Sequence, residues 1–433
     1  MKVSAAKSLR GNVVLPGDKS ISHRAAMFSA IASGTSEIEN FAASDDCSST
    51  LKCLEKLGVE YVRSGTRLTV HGRGKNGLTA PIEPLDCGNS GTTMRLISGI
   101  LAGQPFVTTL IGDESLSVRP MRRVIDPLNE MGANIESVDG HAPLLIKGTK
   151  DLRPIEYILP VASAQIKSCV LLAGLFATGD TSVTENGRTR DHTERMLRNF
   201  GASISIVDHE DGNRITISGN SQLTGGDINV PSDVSASAFF AVAAACQDGS
   251  HVSMNNVGLN PTRNGYLDVL RRFGANIKIF DEHETGGEPC GTIAVFGGGE
   301  LGGTPETRVI KGEMIANVID EIPILAVFGT QVSGGIEIRD AGELRVKESD
   351  RIASVVENLK RMGADVTEYD DGLRVGCSKL KGAEIDSFGD HRIAMAFAVA
   401  GLFASGETTI IGAECAAVSF PGFFESLESI AVR

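Results

Sequence analysis

The 433-residue sequence has no Trp and only 5% aromatic residues, so the base-stacking platforms of single-strand binders are not expected. Positive charge is also short: 41 Lys and Arg face 54 Asp and Glu, a formal charge of −13. That balance excludes nucleic acid or an acidic membrane as the main partner. Any anionic ligand must therefore be held by a local cationic pocket. No apolar run reaches the roughly 18 residues of a membrane helix, and no signal-peptide pattern precedes the first strand. The eight Cys residues, at 47, 53, 87, 169, 246, 290, 377 and 415, form no C-x-x-C pair. They read as reduced thiols of a cytoplasmic protein. There is no G-x-x-x-x-G-K-(S/T), no H-E-x-x-H and no G-x-S-x-G. Gly297–Gly302 matches G-x-G-x-x-G in form, but Thr304-Pro305 follows where a helix would be needed. The eight His residues lack metal-ligand spacing, so no metal is expected.

What the sequence does contain is a repeat. Leu-x-x-(Leu/Met/Phe)-Gly-(Ala/Val) occurs at Leu54–Val59, Leu128–Ala133, Leu197–Ala202, Leu270–Ala275 and Leu359–Ala364. The five glycines are separated by 74, 69, 73 and 89 residues. Each copy reads as the end of an amphipathic helix, a left-handed Gly cap and a short strand. A sixth helix at Phe423–Leu427 stops where the chain stops. Between these copies lies an Ala-rich helix followed by an alternating strand, six times over. A period near 70 exceeds the 20 to 50 residues of solenoids and fits a small α/β unit that cannot close a core alone.

The repeats start near residues 19, 86, 160, 231, 310 and 386, which gives three per domain. The expected domains are an inserted one over 19–230 and a discontinuous one over 1–18 and 231–433. Residues 1–18 have no helix of their own in the first repeat and are expected to complete the sheet of the second domain, with a hinge near Asp18 and Val230.

Helix polarity then points to chemistry. If the six Ala-rich helices are equivalent, their N-termini gather on two surfaces, each offering unpaired N–H groups and roughly half a positive charge. Such ends make an anion site before any Lys or Arg is added. Polar residues concentrate at five of the six helix starts. They are Lys19-Ser20 with His23-Arg24; Asn89-Ser90-Gly91-Thr92; Ser163-Ala164-Gln165; Asp320-Glu321; and Asp390-His391-Arg392. Arg119-Pro120 follows the loop Asp113–Val118 and is expected to open a further helix. Arg190-Asp191-His192 and the run Arg345–Arg351, with three cations and two carboxylates, add to the set. Read singly, each is equally a capped helix or a solvated salt-bridge run. Together they are a binding site in outline.

Those motifs carry a resemblance. Leu15-Pro16-Gly17-Asp18-Lys19-Ser20-x-Ser22-His23-Arg24, Gly88–Thr92, Arg345–Arg351 and Asp390–Arg392 resemble the 3-phosphoshikimate 1-carboxyvinyltransferase (5-enolpyruvylshikimate-3-phosphate synthase) family along essentially the whole chain. The resemblance implies an α/β fold: a two-domain inside-out α/β barrel of six βαβαββ repeats, with the active site in the interdomain cleft. It implies transfer of the enolpyruvyl group of phosphoenolpyruvate to the 5-hydroxyl of shikimate 3-phosphate, with no metal or organic cofactor, by a cytoplasmic monomer. Carried over by position, Ser20 and Arg24 would take the shikimate carboxylate. Ser163, the backbone of Ala164, Arg190 and Lys347 would take the 3-phosphate, and Gln165 would touch both substrates. Lys19, Gly91, Arg119, Arg351 and Arg392 would hold phosphoenolpyruvate, with Lys19 also counted as catalytic. Asp320 and Glu348 would be the acid/base pair. Val418 stands where some members have a Lys. That difference, Ala164, Arg190–Glu194 and Asn260–Arg263 resemble the subgroup called class II, whereas Gly91 is typical of members sensitive to glyphosate, which occupies the phosphoenolpyruvate site. The related UDP-N-acetylglucosamine enolpyruvyl transferases have Lys-Asn at the first helix and a Cys before the equivalent of Arg119; neither occurs here. A non-catalytic anion binder would not need Asp320 and Glu348 among the cations.

Overall fold

The computed structural model describes residues 1–209 and 212–433. Its helices of eight residues or more are of two kinds. Six inner helices, Lys19–Ile31, Gly91–Ala102, Ala164–Gly174, Val234–Ala245, Ile322–Gly329 and His391–Phe403, are buried on nearly every side. The fourth has every residue buried, as a helix without a polar face must. Six outer helices, Asp45–Lys56, Arg122–Glu130, His192–Asn199, Gly265–Arg272, Arg351–Arg361 and Phe423–Ile430, each bury one face.

Five outer helices end as the repeated motif predicts. Gly58, Gly132, Gly201, Gly274 and Gly363 all have φ between 79° and 105°, a region open to Gly at little cost. The next residue's N–H then donates back to the motif's Leu carbonyl: Val59 to Leu54, Ala133 to Leu128, Ala202 to Leu197, Ala275 to Leu270 and Ala364 to Leu359. This is the Schellman arrangement, which satisfies carbonyls otherwise orphaned at a helix end. The sixth outer helix has no such Gly and runs straight into a strand at Ala431–Val432.

Four sheets share one strand order, an opening strand parallel to the second and the remaining pairs antiparallel. Strands Leu85–Asp86, Val107–Ile111, His141–Lys147 and Asn134–Val138 form one of them. Strands belonging to different repeats are exchanged at two places. Asp227–Asn229, just before the fourth inner helix, pairs with Ser33–Glu39 of the first repeat. Ser8–Val13, just before the first inner helix, pairs instead with His251–Gly258 of the fourth repeat. Lys2–Val3 pairs with Thr408–Ile411 and supplies the sixth repeat with a strand it lacks.

By internal packing the chain falls into two compact units, each with its own hydrophobic core. The inserted unit comprises residues 17–230 and 285–288; the terminal unit comprises 1–16, 231–284 and 289–433. Gly17, where the inserted unit begins, has no room for a side chain: a Cβ there would lie 1.8 Å from the Asn40 carbonyl oxygen. Arg119-Pro120 does not open a helix. The loop before it contains the short helix Glu114–Ser117, and the next helix begins at Arg122: Pro120 disfavours the helical conformation at Arg119, whose N–H instead donates back to the Leu116 carbonyl at 3.1 Å.

Candidate active site

Side-chain caps fix the starts of most inner helices. Asp18, Ser90, Asp233 and Asp390 accept from the N–H groups of Ile21, Thr93, Ala236 and Arg392 at 2.8–3.1 Å. Ser163 does the same for Ile166 at 3.5 Å. The fifth helix has no side-chain cap and relies on Pro323, whose missing N–H is not needed there.

In the inserted unit three helix starts are tied together by cations. Arg24 is buried; its Nε donates to Thr193 Oγ1 at 2.7 Å, and its terminal nitrogens donate to Ser168 Oγ at 3.0 Å and the Ser20 carbonyl at 2.9 Å. Arg95 donates to Gln165 Oε1 at 2.8 Å, while the Gln165 amide donates to Thr92 Oγ1 at 3.0 Å. Arg119 donates to Asn89 Oδ1 at 2.8 Å and Ser115 Oγ at 3.2 Å. A Cβ on Gly91 would lie 2.8 Å from Arg95 Nη1 and 3.4 Å from Arg119 Nη1. Gly91 is small because two guanidinium groups pass beside it. Lys19 pairs with Asp46 at 2.9 Å. Arg190 is half-buried, in the turn before His192.

His23, in the same motif, is not a further cation. Burial, reinforced by the charges of Lys19 and Arg24, holds its pKa well below the ordinary imidazole value. Its Nδ1 bonds Thr50 Oγ1 at 2.6 Å, and Thr50 continues to Thr93 at 2.7 Å.

In the terminal unit one residue organises the cluster. Arg351 is 1% exposed; its three nitrogens donate to Asp390 Oδ2 at 2.8 Å, Asp320 Oδ1 at 3.2 Å and Glu348 Oε2 at 2.6 Å. Burial works to lower its pKa, but Asp390, Glu348 and Asp320 outweigh it and hold Arg351 more firmly protonated than a free Arg. Lys347 Nζ lies 3.9 Å from Asp320. Arg392 donates to the Asp320 carbonyl at 3.1 Å and lies 3.6 Å from Glu321.

The run Arg345–Arg351 therefore divides. Lys347, Glu348 and Arg351 join Asp320, whereas Arg345 pairs with Asp350 and Glu368 and belongs to a separate surface cluster. Several partners were not foreseen: Asp46, Thr193, Ser168, and a buried chain in which Arg263 donates to Ser235 Oγ at 2.7 Å and Ser235 donates to Glu321. Asn260–Arg263 stood out in the sequence, but nothing local could tie Arg263 to a residue 58 positions on. All eight Cys are free. Burial pushes the Cys47 thiol up to about 12 and Cys415 up to about 11, so both stay protonated and unreactive near neutrality.

In each unit, cations beside helix N-termini suit anionic groups, and in the terminal unit the carboxylates among them suit proton transfer. The EPSP synthase (3-phosphoshikimate 1-carboxyvinyltransferase) family model matches residues 3–427. A 3-phosphoshikimate 1-carboxyvinyltransferase of Solibacter usitatus is 53% identical over 99% of both chains. That of Pelotomaculum thermopropionicum is 51% identical over 100% of this chain and 99% of its own. The EPSP synthase structure from Acinetobacter baumannii superposes with a TM-score of 0.87 at 42% identity, covering 99% of this chain and 97% of that one. With a match of this length and identity behind the cation clusters, the chain belongs to the EPSP synthase family.

Proposed function

We infer that the two clusters divide the work of one reaction, the inserted unit chiefly holding anions and the terminal unit chiefly moving protons. The reaction follows from family membership: the enzyme transfers the enolpyruvyl group of phosphoenolpyruvate to the 5-hydroxyl of shikimate 3-phosphate and releases phosphate, a step of aromatic amino-acid biosynthesis.

Ser20 and Arg24 bind the shikimate carboxylate. Ser163, the Ala164 backbone N–H, Arg190 and Lys347 take the 3-phosphate, where charge-assisted hydrogen bonds are strongest. Gln165, steadied by Arg95 and Thr92, lies along both substrates. Lys19, Arg119, Arg351 and Arg392 hold phosphoenolpyruvate, with Gly91 leaving room for it.

The chemistry needs two proton carriers. The 5-hydroxyl loses a proton as its oxygen attacks C2 of phosphoenolpyruvate, while the C3 methylene gains one and becomes methyl. Phosphate then leaves as C3 gives a proton back. Asp320 and Glu348 serve these steps, and the observation that carries the assignment is Arg351, which holds both carboxylates on one guanidinium. A fixed cation keeps each carboxylate oriented and able to give up its proton again. Positioned proton transfer contributes roughly 10²–10⁴ in rate; cations around the departing phosphate supply charge stabilisation.

The test is a phosphate-release assay with shikimate 3-phosphate present, omitted, or replaced by UDP-N-acetylglucosamine. Release that requires shikimate 3-phosphate is expected; release with the sugar nucleotide alone would overturn the substrate assignment. Among the described residues no helix is long and apolar enough to cross a membrane. We propose a cytoplasmic monomer, for which sedimentation velocity should give the mass of one chain.

A further inference from the structure

One buried ionic group has no part in the chemistry above. Lys167, on the third inner helix, is fully buried; its Nζ lies 2.7 Å from Glu194 Oε1 and 3.0 Å from Glu185 Oε2, both carboxylates being at most 2% exposed. Burial works to lower the Lys167 pKa, but Glu194 and Glu185 overcome it and raise it. Burying three charges is expensive, and apolar residues of similar volume would often be as stable. Stability alone does not explain this group.

Its hydrogen bonds converge on one turn. Glu185 Oε2 accepts from the Thr189 N–H at 3.1 Å and from Thr189 Oγ1 at 2.6 Å, and Lys167 donates to the Thr189 carbonyl at 3.5 Å. Arg190 is the next residue. On its other side, His192 Nδ1 meets Glu288 Oε1 at 2.7 Å, Thr193 accepts from Arg24, and Glu194 returns to Lys167. The turn opens at Gly187, with φ of 88°, where a chain without such anchors has conformational freedom.

We propose that Lys167, Glu185 and Glu194 are positioning residues that hold the Arg190 turn for the 3-phosphate, and so set the preference for phosphorylated over unphosphorylated shikimate. This rests on the assignment of Arg190 to that phosphate. A flexible Arg would have to be ordered at each binding event, which weakens affinity. An Arg whose backbone is pinned on both sides loses less. The hydrogen bonds of the group run to Thr189, next to Arg190, so its effect is expected chiefly on shikimate 3-phosphate.

Two variants test it. Thr189→Val removes one anchor and leaves the ions in place; the triple variant Lys167→Met/Glu185→Gln/Glu194→Gln removes the charges together, so no lone buried charge remains. Shikimate 3-phosphate affinity, read by isothermal titration, should weaken by about 3–10-fold in Thr189→Val, the range of one net hydrogen bond, and further in the triple variant if it folds. The phosphoenolpyruvate KM should change less, and the ratio of kcat/KM for shikimate 3-phosphate over shikimate should fall. Thr189→Ser, which restores the hydroxyl, should recover the ratio. A purely structural role would lower the melting temperature and leave the ratio intact, which overturns the proposal, as would equal changes for both substrates. Arg190→Gln separates the two levels. If it leaves shikimate 3-phosphate affinity unchanged, the phosphate assignment falls; if it weakens affinity while Thr189→Val does not, only the positioning role falls.

Discussion

The two clusters are built from the same materials and balanced differently. In the inserted unit, Arg24, Arg95 and Arg119 donate to neutral oxygens of Thr193, Ser168, Gln165, Asn89 and Ser115, while Lys19 pairs with Asp46. In the terminal unit, Arg351 alone meets three carboxylates, Asp320, Glu348 and Asp390. Neutral oxygens orient a guanidinium through hydrogen bonds, and its charge-assisted bonds to an arriving anion are stronger than those it gives them. A cation matched by carboxylates also orients those carboxylates, and can steady the proton changes they undergo. On the function proposed above, the same residue types make a binding cluster in one unit and a proton-handling cluster in the other.

The largest effect should come from breaking the terminal cluster at its carboxylates. Glu348→Gln and Asp320→Ala should each lower turnover by at least about 10² in steady-state assays, the lower bound for a lost acid or base. Near-normal turnover in either would remove that residue from the mechanism. The inserted cluster should respond in affinity instead. Arg24→Met should raise the shikimate 3-phosphate KM at least about tenfold and lower kcat less, as expected for a group that binds ground state and transition state alike. A loss confined to kcat would erase the contrast between the two units.

A smaller and more selective effect is expected at Gly91. An added methyl would press on Arg95 Nη1 at 2.8 Å and Arg119 Nη1 at 3.4 Å. Because guanidinium tips can shift, Gly91→Ala should remain active. Glyphosate is longer than phosphoenolpyruvate, so its inhibition constant should rise more than the phosphoenolpyruvate KM. Equal changes, or a wild type indifferent to the inhibitor, would show that the space at Gly91 does not discriminate. The smallest effect should come from thiol alkylation, since no thiol is assigned a part in the chemistry. At pH 7 the folded protein should react first at Cys377, the one exposed Cys among the eight, with activity retained. Rapid labelling of Cys47, whose thiol is pushed up to about 12, would contradict its burial.

Much of this protein was legible because the information was local. The Leu…Gly-Ala motifs specify helix ends through φ and two backbone hydrogen bonds within six residues, so five caps could be placed before any tertiary structure was known. The Ala-rich helices show their burial by composition, and Asp18, Ser90, Ser163, Asp233 and Asp390 sit where a cap is needed. Position within a repeated α/β unit then gathers Lys19, Gly91 and Gln165 at helix starts of one unit, and Asp320 and Arg392 at those of the other.

Other features are set by contacts distant in sequence. Residues 2–13 leave the helix they precede and complete sheets hundreds of residues away, because strand pairing depends on which edge is open rather than on the strand's own composition. Arg345 and Arg351 look alike in one charged run, yet opposite sides of a turn send the first to the surface and the second into the core. The Lys167–Glu185–Glu194 group reads as three ordinary polar residues; only packing removes them from water and makes their charges answer to one another. The sequence by itself determined the repeat, the caps and the residue types at each helix start, since each depends on a few neighbouring dihedrals and side chains. Tertiary structure decided which cations face carboxylates and which face neutral oxygens, because that choice depends on burial and on partners brought near only by the folded chain.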